Sequence, residues 1–300
     1  MSILVVGSSN ADVFCRVDRL PEKGETIFGN EIEFKSGGKG ANQATAVSKM
    51  GSATIFLTCL GNDEKGINLL EGYKTLGINT DYIRLVDNVK TGTAFINVDK
   101  NGSNTIVVVK GANDYCDEDF VLKHEELFRK VDYVLLQLEI PIEAVKKSIE
   151  IAKKYNKTVI LNPAPAHYLE DDILKNVDFL TPNETELELL AFGKLNGRSL
   201  EESAVVILNK GVKNLLVTVG DQGAIYFSKD NIIKVEGLKV NAIDTVAAGD
   251  CFNGAFVSAL DKGESIIDAI KFANKAAAIS VTRKGAQESI PNLEEVLNYR

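Results

Sequence analysis

Six short apolar runs punctuate the chain: ILVVG at 3–7, ATIFLTCLG at 53–61, DYVLLQLE at 132–139, TVILN at 158–162, VDFLTPN at 177–183 and NLLVTVG at 214–220. A strand covered on one face alternates apolar and polar residues, whereas a strand covered on both faces is apolar throughout. Between these runs the apolar period lengthens to three and four residues. It predicts helices over 41–50, 64–76, 141–155, 184–191, 200–210, 250–261 and 264–281. The alternation of the two patterns predicts an α/β fold, a predominantly parallel central sheet flanked by helices. Ligands of such sheets bind beyond the carboxyl ends of the strands. The pattern places the Gly7–Asp12 segment, Glu139, Asn162, Asn183 and Gly220 along that rim.

Two segments break the rhythm. Residues 13–36 alternate loosely around Pro21 and Gly24, in the manner of twisted strands. Residues 92–109 read as a hairpin, GTAFINV and SNTIVVV joined by a turn at Asn101-Gly102. Together they predict a small β-sheet standing over the rim as a lid. No linker, repeat or low-complexity tract interrupts residues 1–300, so a single domain carrying this lid is expected.

Composition narrows the function classes. The 300 residues are 45% hydrophobic and 25% charged, as in ordinary globular proteins. A formal charge of −8 argues against nucleic acid as a partner. No run of about 18 apolar residues predicts a membrane span. Met1-Ser2 passes straight into the first strand without a basic leader, so a cytoplasmic location is expected. The four cysteines are scattered, which suits reduced thiols, and Cys251 reads as a small buried filler. His124 and His167 are the only histidines and lie in no ligand pattern, which disfavours zinc chemistry and a Ser-His-Asp hydrolase.

The segment DTVAAGD, 244–250, places Asp244 and Asp250 around very small residues immediately before a helical run. Small side chains at Ala247, Ala248 and Gly249 expose backbone N–H groups where a helix terminus carries about half a positive charge. An anion fits there, with Asp250 positioned to take a proton. A helix terminus also lowers a carboxyl pKa, so a weakly basic Asp250 is expected. SGGKGANQA, 36–44, lets backbone approach a ligand, and Asn42 and Gln43 suit hydroxyls. It matches neither the Walker A loop nor G-x-G-x-x-G. Asn10 and Asp12, two apart in an extended segment, share a face and suit a vicinal diol. Asn183 and Glu186 are three apart at a helix start: they read either as a helix cap or as oxygen ligands suited to hydrated Mg²⁺, with Glu139 as a further carboxylate nearby. The turn TVGDQG, 218–223, suits nucleotide phosphates. Jointly these features describe phosphoryl transfer to a hydroxylated substrate.

GSSNADV, PEKGET, GGKGANQA, LQLEIP, LNPAPA, TPNETE, TVGDQG, DTVAAGDCFNGA and AAAISVTRKGAQESIP occur in this order across the whole length. In these segments the chain resembles the PfkB/ribokinase family of carbohydrate kinases. The resemblance implies ATP-dependent phosphorylation of the 5-hydroxyl of D-ribose, with Asp250 as base and the 247–250 amides as anion hole. It implies sugar contacts at Asn10, Asp12, Gly38, Lys39, Gly40, Ala41, Asn42 and Glu139. It implies ATP contacts at Asn183, at Thr218, Val219, Gly220, Asp221, Gln222 and Gly223, and at Gly249, Asp250 and Asn274. Glu186 would act on Mg²⁺ indirectly. An activating K⁺ would be caged by Asp244, Val246, Ser280, Arg283, Gly285 and Ser289, several through backbone carbonyls. A homodimer joined through the lid strands is also implied. Asn274 stands where a family relative has histidine, which loosens the adenine expectation. Alternatives are a sibling kinase for deoxyribose, fructose or a nucleoside, a nicotinamide-dependent oxidoreductase, or a silent sugar sensor. The missing G-x-G-x-x-G after Val6 weighs against the oxidoreductase.

Overall fold

The computed structural model describes residues 2–299. Nine strands form one sheet, in the order β13 (Ile232–Glu236), β12 (Gly223–Phe227), β11 (Asn214–Thr218), β10 (Phe179–Leu180), β9 (Thr158–Leu161), β8 (Tyr133–Leu136), β1 (Ser2–Val6), β4 (Ala53–Gly61) and β5 (Ile83–Val86). Pairing is parallel from β11 through β5, while β12 and β13 close one edge antiparallel. A second sheet runs β3 (Glu31–Gly37), β2 (Asn10–Arg16), β6 (Thr93–Val98), β7 (Asn104–Val109). The helices are α1 (Lys39–Lys49), α2 (Glu64–Thr75), α3 (Glu118–Lys123), α4 (Glu125–Arg129), α5 (Ile142–Lys154), α6 (Asp171–Lys175), α7 (Glu184–Phe192), α8 (Leu200–Asn209), α9 (Ala248–Asp261), α10 (Ile266–Ser280) and α11 (Leu293–Asn298).

The runs apolar on both faces are explained by two cores. Leu4 and Val6 of β1 join the cluster under α5, α7 and α8, and Ile3 and Val5 join the one under α1, α9 and α10. All four are fully buried, each worth roughly 1.5–3 kcal/mol. β10 is much shorter than the apolar run over 177–183, because Pro182 cannot donate to a ladder and Asn183 already caps α7.

α9 is buried on nearly all sides, which suits a helix packed inside its layer. Its Gly254 permits the closest approach: a Cβ there would lie 2.4 Å from Ala46 Cβ and 2.9 Å from the Gln43 carbonyl oxygen. With α1 so close, the side chains of its first turns meet the start of α9.

The small sheet follows the pleat. Asn10 and Asp12 alternate with Val13, which pairs with Phe95 and Phe34, and Phe95 pairs in turn with Val107. One cross-strand row is therefore apolar, and Phe34, Phe95 and Val107 in it are exposed. The hairpin turn closes as expected, with Gly102 N–H donating to Asp99 O at 3.0 Å. Residues 17–30 within the first lid segment form no strand.

Candidate active site

Asp250 lies in the first turn of α9, 6% exposed. Asn42 Nδ2 donates to its Oδ2 at 2.9 Å, and Gln43 Nε2 donates to its Oδ1 at 2.9 Å. Both amides of the glycine-rich segment thus hold the carboxylate; Gln43 faces inward rather than toward a hydroxyl. Asn42 Oδ1 is buried without a protein partner, which leaves an acceptor beside the base. Gln43 Nε2 also reaches Asn162 Oδ1 at 3.1 Å, and Asn162 Nδ2 donates to the Thr181 carbonyl at 2.9 Å. That carbonyl only accepts, so it fixes the Asn162 amide and, through it, the Gln43 amide. Gln137 Nε2 completes the chain on Gln43 Oε1 at 2.6 Å.

The low pKa expected for Asp250 from its helix terminus is not what the structure gives. Burial pushes the carboxyl above its ordinary value, against the opposing pull of Lys39, Asn42 and Gln43. Desolvation by distant parts of the chain outweighs the local terminus. Burial disfavours the charge on Lys39 too, but Asp250, Glu139 and Glu186 outweigh it and hold the ammonium above its usual value. Cys251 is fully buried with its thiol pushed up to about 12 by burial, an inert filler.

The helix starts at Ala248, two residues earlier than its apolar period indicates, behind Ala247 at φ +60°. Such a left-handed alanine is strained. Ala248 N–H donates to Thr245 O at 3.2 Å. The amides of Gly249 and Asp250, which have no backbone partner among the described residues, remain for an anion.

Lys39 and Glu139 of the sugar motifs lie close enough for their charges to act on Asp250. Glu139 Oε2 accepts from the Ser8 hydroxyl at 2.6 Å and from Lys39 N–H at 2.8 Å. Asp12 Oδ1 accepts from Ala94 N–H at 3.2 Å, and burial, aided by the Glu139 charge, raises its pKa to about 7. Gly38, at φ +86°, caps α1, and Gly40 and Ala41 are buried in its first turn. Asn10 is held by Asn113, a residue that no sequence motif marks.

A cleft of about 710 Å³ reaches the start of α9 at Ala248 and Gly249. Of the residues implied to contact ATP, Asn183, Thr218, Gly220, Asp221, Gly223, Gly249 and Asn274 line it. Val219 and Gln222 do not: Val219 is buried, and Gln222 Oε1 accepts from Lys234. Leu238, Val240, Phe252, Ala277 and Val281 add an apolar wall that the sequence did not assign to the nucleotide, because it gathers from three separate segments. Asn274 donates to the Val235 and Glu236 carbonyls at 3.0 and 3.2 Å, so its amide nitrogen serves the fold. A second pocket of about 200 Å³ shares Asn183, Thr218, Thr245, Ala248 and Gly249 with the cleft and is lined in addition by Lys39, Glu186 and Asp250. Asn183 and Glu186 form a capping box on α7, with 2.8 and 2.9 Å bonds, while both line this pocket. The cap and the ligand readings of that pair are compatible. Burial raises the Glu186 pKa, partly offset by Asn183 N–H.

Asp244 accepts from Val246 N–H and Gly285 N–H, each at 3.0 Å, joining the loop before α9 to the loop after α10. The Ser280 and Ser289 hydroxyls donate to Ala277 and Ala286 carbonyls, and Arg283 pairs with Glu295 at 2.6 Å.

An apolar nucleotide-sized cleft beside a polar pocket that a buried carboxylate lines is the arrangement of a group-transfer enzyme. The family model for pfkB family carbohydrate kinases matches residues 1–293, and the chain belongs to that family. It is 44% identical over 297 residues to a ribokinase of Staphylococcus aureus (strain COL), covering 98% of each chain. It is 37% identical over 301 residues to a deoxyribokinase of Salmonella typhi, covering 100% of this chain and 98% of the relative. The structure of an Arabidopsis thaliana ribokinase complexed with ribose and ATP superposes with a TM-score of 0.92 at 35% identity, over 99% of this chain and 97% of that one.

Proposed function

We propose that the protein transfers the γ-phosphoryl group of ATP to the 5-hydroxyl of D-ribose, giving ribose 5-phosphate and ADP. The observation that carries this reading is the position of Asp250, buried in the first turn of α9, bonded to Asn42 and lining the pocket next to the nucleotide-sized cleft. The sugar oxygen attacks the γ-phosphorus, the bond to the β–γ bridging oxygen breaks, and the hydroxyl proton passes to Asp250. The raised Asp250 pKa makes this carboxylate a better base than an exposed one. The free amides of Gly249 and Asp250, with the Lys39 ammonium, stabilise charge on the transferring group. Asn10, Asp12, Lys39, Asn42 and Glu139 orient the sugar.

Two ions belong to this reading. Glu186 and Asn183 offer a single carboxylate to a Mg²⁺ ion held chiefly by ATP phosphates and water, which suits a hard, strongly hydrated cation. Mg²⁺ supplies charge neutralisation on the phosphates. The 244–246 and 280–289 loops offer the carboxylates of Asp244 and Glu288 beside neutral carbonyl and hydroxyl oxygens, and no group of three or more His, Cys, Asp or Glu that could hold a metal occurs among the described residues. Neutral carbonyl and hydroxyl oxygens in that set would suit a K⁺ ion. The exposed row Phe34–Val13–Phe95–Val107 supports a homodimer in which a second copy covers it. The small sheet would act as a lid within a single domain. Among the described residues no helix is long and apolar enough to cross a membrane; a cytoplasmic location is part of the proposed reading.

ADP release with Mg-ATP, K⁺ and D-ribose, against mixtures without sugar or with 2-deoxyribose, tests the reading. Ribose-dependent ADP supports it; turnover only with 2-deoxyribose selects the sibling activity suggested by the deoxyribokinase relative.

A further inference from the structure

Asn113 sits in the short 3₁₀ turn Gly111–Tyr115 that follows β7, and it is 2% exposed. Its Oδ1 accepts the backbone N–H of Ser9 at 2.9 Å. A peptide N–H can only donate, so this contact fixes which end of the Asn113 amide is oxygen. The Nδ2 end then faces Asn10 and donates to its Oδ1 at 2.7 Å. That bond fixes the second amide in turn. The Asn10 oxygen is engaged inside the protein, and its Nδ2, without a protein partner among the described residues, is the group left for a ligand. Orientation passes from the main chain through two side chains. Turning either amide over would set donor against donor in a buried site.

Gly92 encloses the pair. A Cβ at that position would lie 2.3 Å from Asn113 Nδ2 and 2.4 Å from Asn10 Oδ1. The Gly92 carbonyl also accepts from Ala11 N–H at 2.8 Å, holding the start of β2 in place. Asn10 is 4% exposed and two residues from Asp12 on the same face of β2. The face is the one opposite the exposed apolar row.

We propose that Asn113 is a positioning residue that holds Asn10 as a hydrogen-bond donor toward the sugar, so that the pocket selects a hydroxyl whose oxygen accepts at that point. This rests on the reading of Asn10 as a sugar contact. Selectivity at this position then depends on a residue that never touches the sugar.

Asn113→Asp tests the idea almost isosterically. The carboxylate still accepts from Ser9 N–H but now presents an acceptor to Asn10, which turns its Nδ2 inward and leaves Oδ1 toward the sugar. Steady-state kinetics with D-ribose should show KM for the sugar raised on the order of tenfold, the loss expected when a polar contact is mismatched. The kcat should stay within about threefold, and KM for ATP should not move. Asn10→Ala should raise KM similarly, and the double variant should be no worse than Asn10→Ala alone, because the side chain through which Asn113 acts is gone. Additive effects, or equal losses in both KM values, would mean a merely structural role and overturn the proposal. If Asn10→Ala raises KM and Asn113→Asp does not, the proposal falls and the sugar reading stands. If neither does, both fall. Should the aspartate variant not fold, Asn113→Ala frees Asn10 to rotate; it should raise sugar KM about threefold, again non-additively, and an additive or absent effect overturns the proposal.

Discussion

Replacing Asp12 by Asn should stabilise the sugar-free protein at alkaline pH and leave it almost unchanged in acid. The Asp12 carboxyl has a pKa near 7 in the folded chain against 3.8 in the unfolded one, mainly because it is buried. A folded-state pKa raised in this way means that folding favours the protonated form. The contribution is fully present below pH 3.8, is lost as pH rises toward 7, and is constant above that. A rise of about three units corresponds to about 4 kcal/mol at full expression. Asparagine carries no charge to desolvate and its Oδ1 can still accept from Ala94 N–H, so it escapes this loss. Between pH 5 and pH 8 the stability gap between variant and parent should widen by about 2.6 kcal/mol. For a chain of this size that is a Tm difference growing by roughly 4 °C. Thermal unfolding by circular dichroism at several pH values, without sugar or nucleotide, measures it. A gap that stays constant across this range would refute the argument that the buried carboxylate is the cause.

Three further substitutions probe other parts of the account. Gln43→Leu removes one donor from Asp250 and leaves Gln137 Nε2 and Asn162 Oδ1 unpaired; it should cost roughly 2–4 kcal/mol by denaturant titration. In the same variant the acid limb of the kcat–pH profile should move to higher pH, since the ionised base loses a hydrogen bond; an unmoved limb would show that Gln43 does not act on Asp250. Ala247→Gly removes the penalty of φ +60° and should raise Tm by about 2 °C, from roughly 1 kcal/mol of relieved strain. A lower Tm would deny the strain. Phe95→Lys places a charge in the exposed row of the small sheet and should turn a dimer into a monomer by sedimentation, with the fold intact by circular dichroism; an unchanged mass would place any dimer contact elsewhere.

What was legible in the sequence was local. Runs such as Ile3–Val6, apolar on both faces, announce a sheet buried on both sides, and the two cores bear this out. The hairpin at 92–109 was legible from its turn and alternation, and β6 and β7 occupy it. The antiparallel edge pair β12–β13 escaped notice: Ile232 in it is exposed, and Gly223 opens β12 directly out of the phosphate-like turn. Alternation in GAIYF and IIKVE on either side of Ser228–Asn231 was the signal that could have found it. The environment of Asp250 could not be read locally, because Asn42 and Gln43 lie more than 200 residues away in sequence. Asn113 was hidden for the same reason, its partners being Ser9 and Asn10.

The central claim is that Asp250 takes the proton of the attacking sugar hydroxyl. Its most direct test is ADP formation by the Asp250→Asn variant with saturating Mg-ATP and D-ribose, in parallel with the parent protein. Asparagine keeps the size and an acceptor oxygen but cannot take the proton, so turnover should fall about 10²–10⁴-fold while ATP binding and Tm persist. Near-parental, ribose-dependent turnover by a folded Asp250→Asn variant would contradict the account.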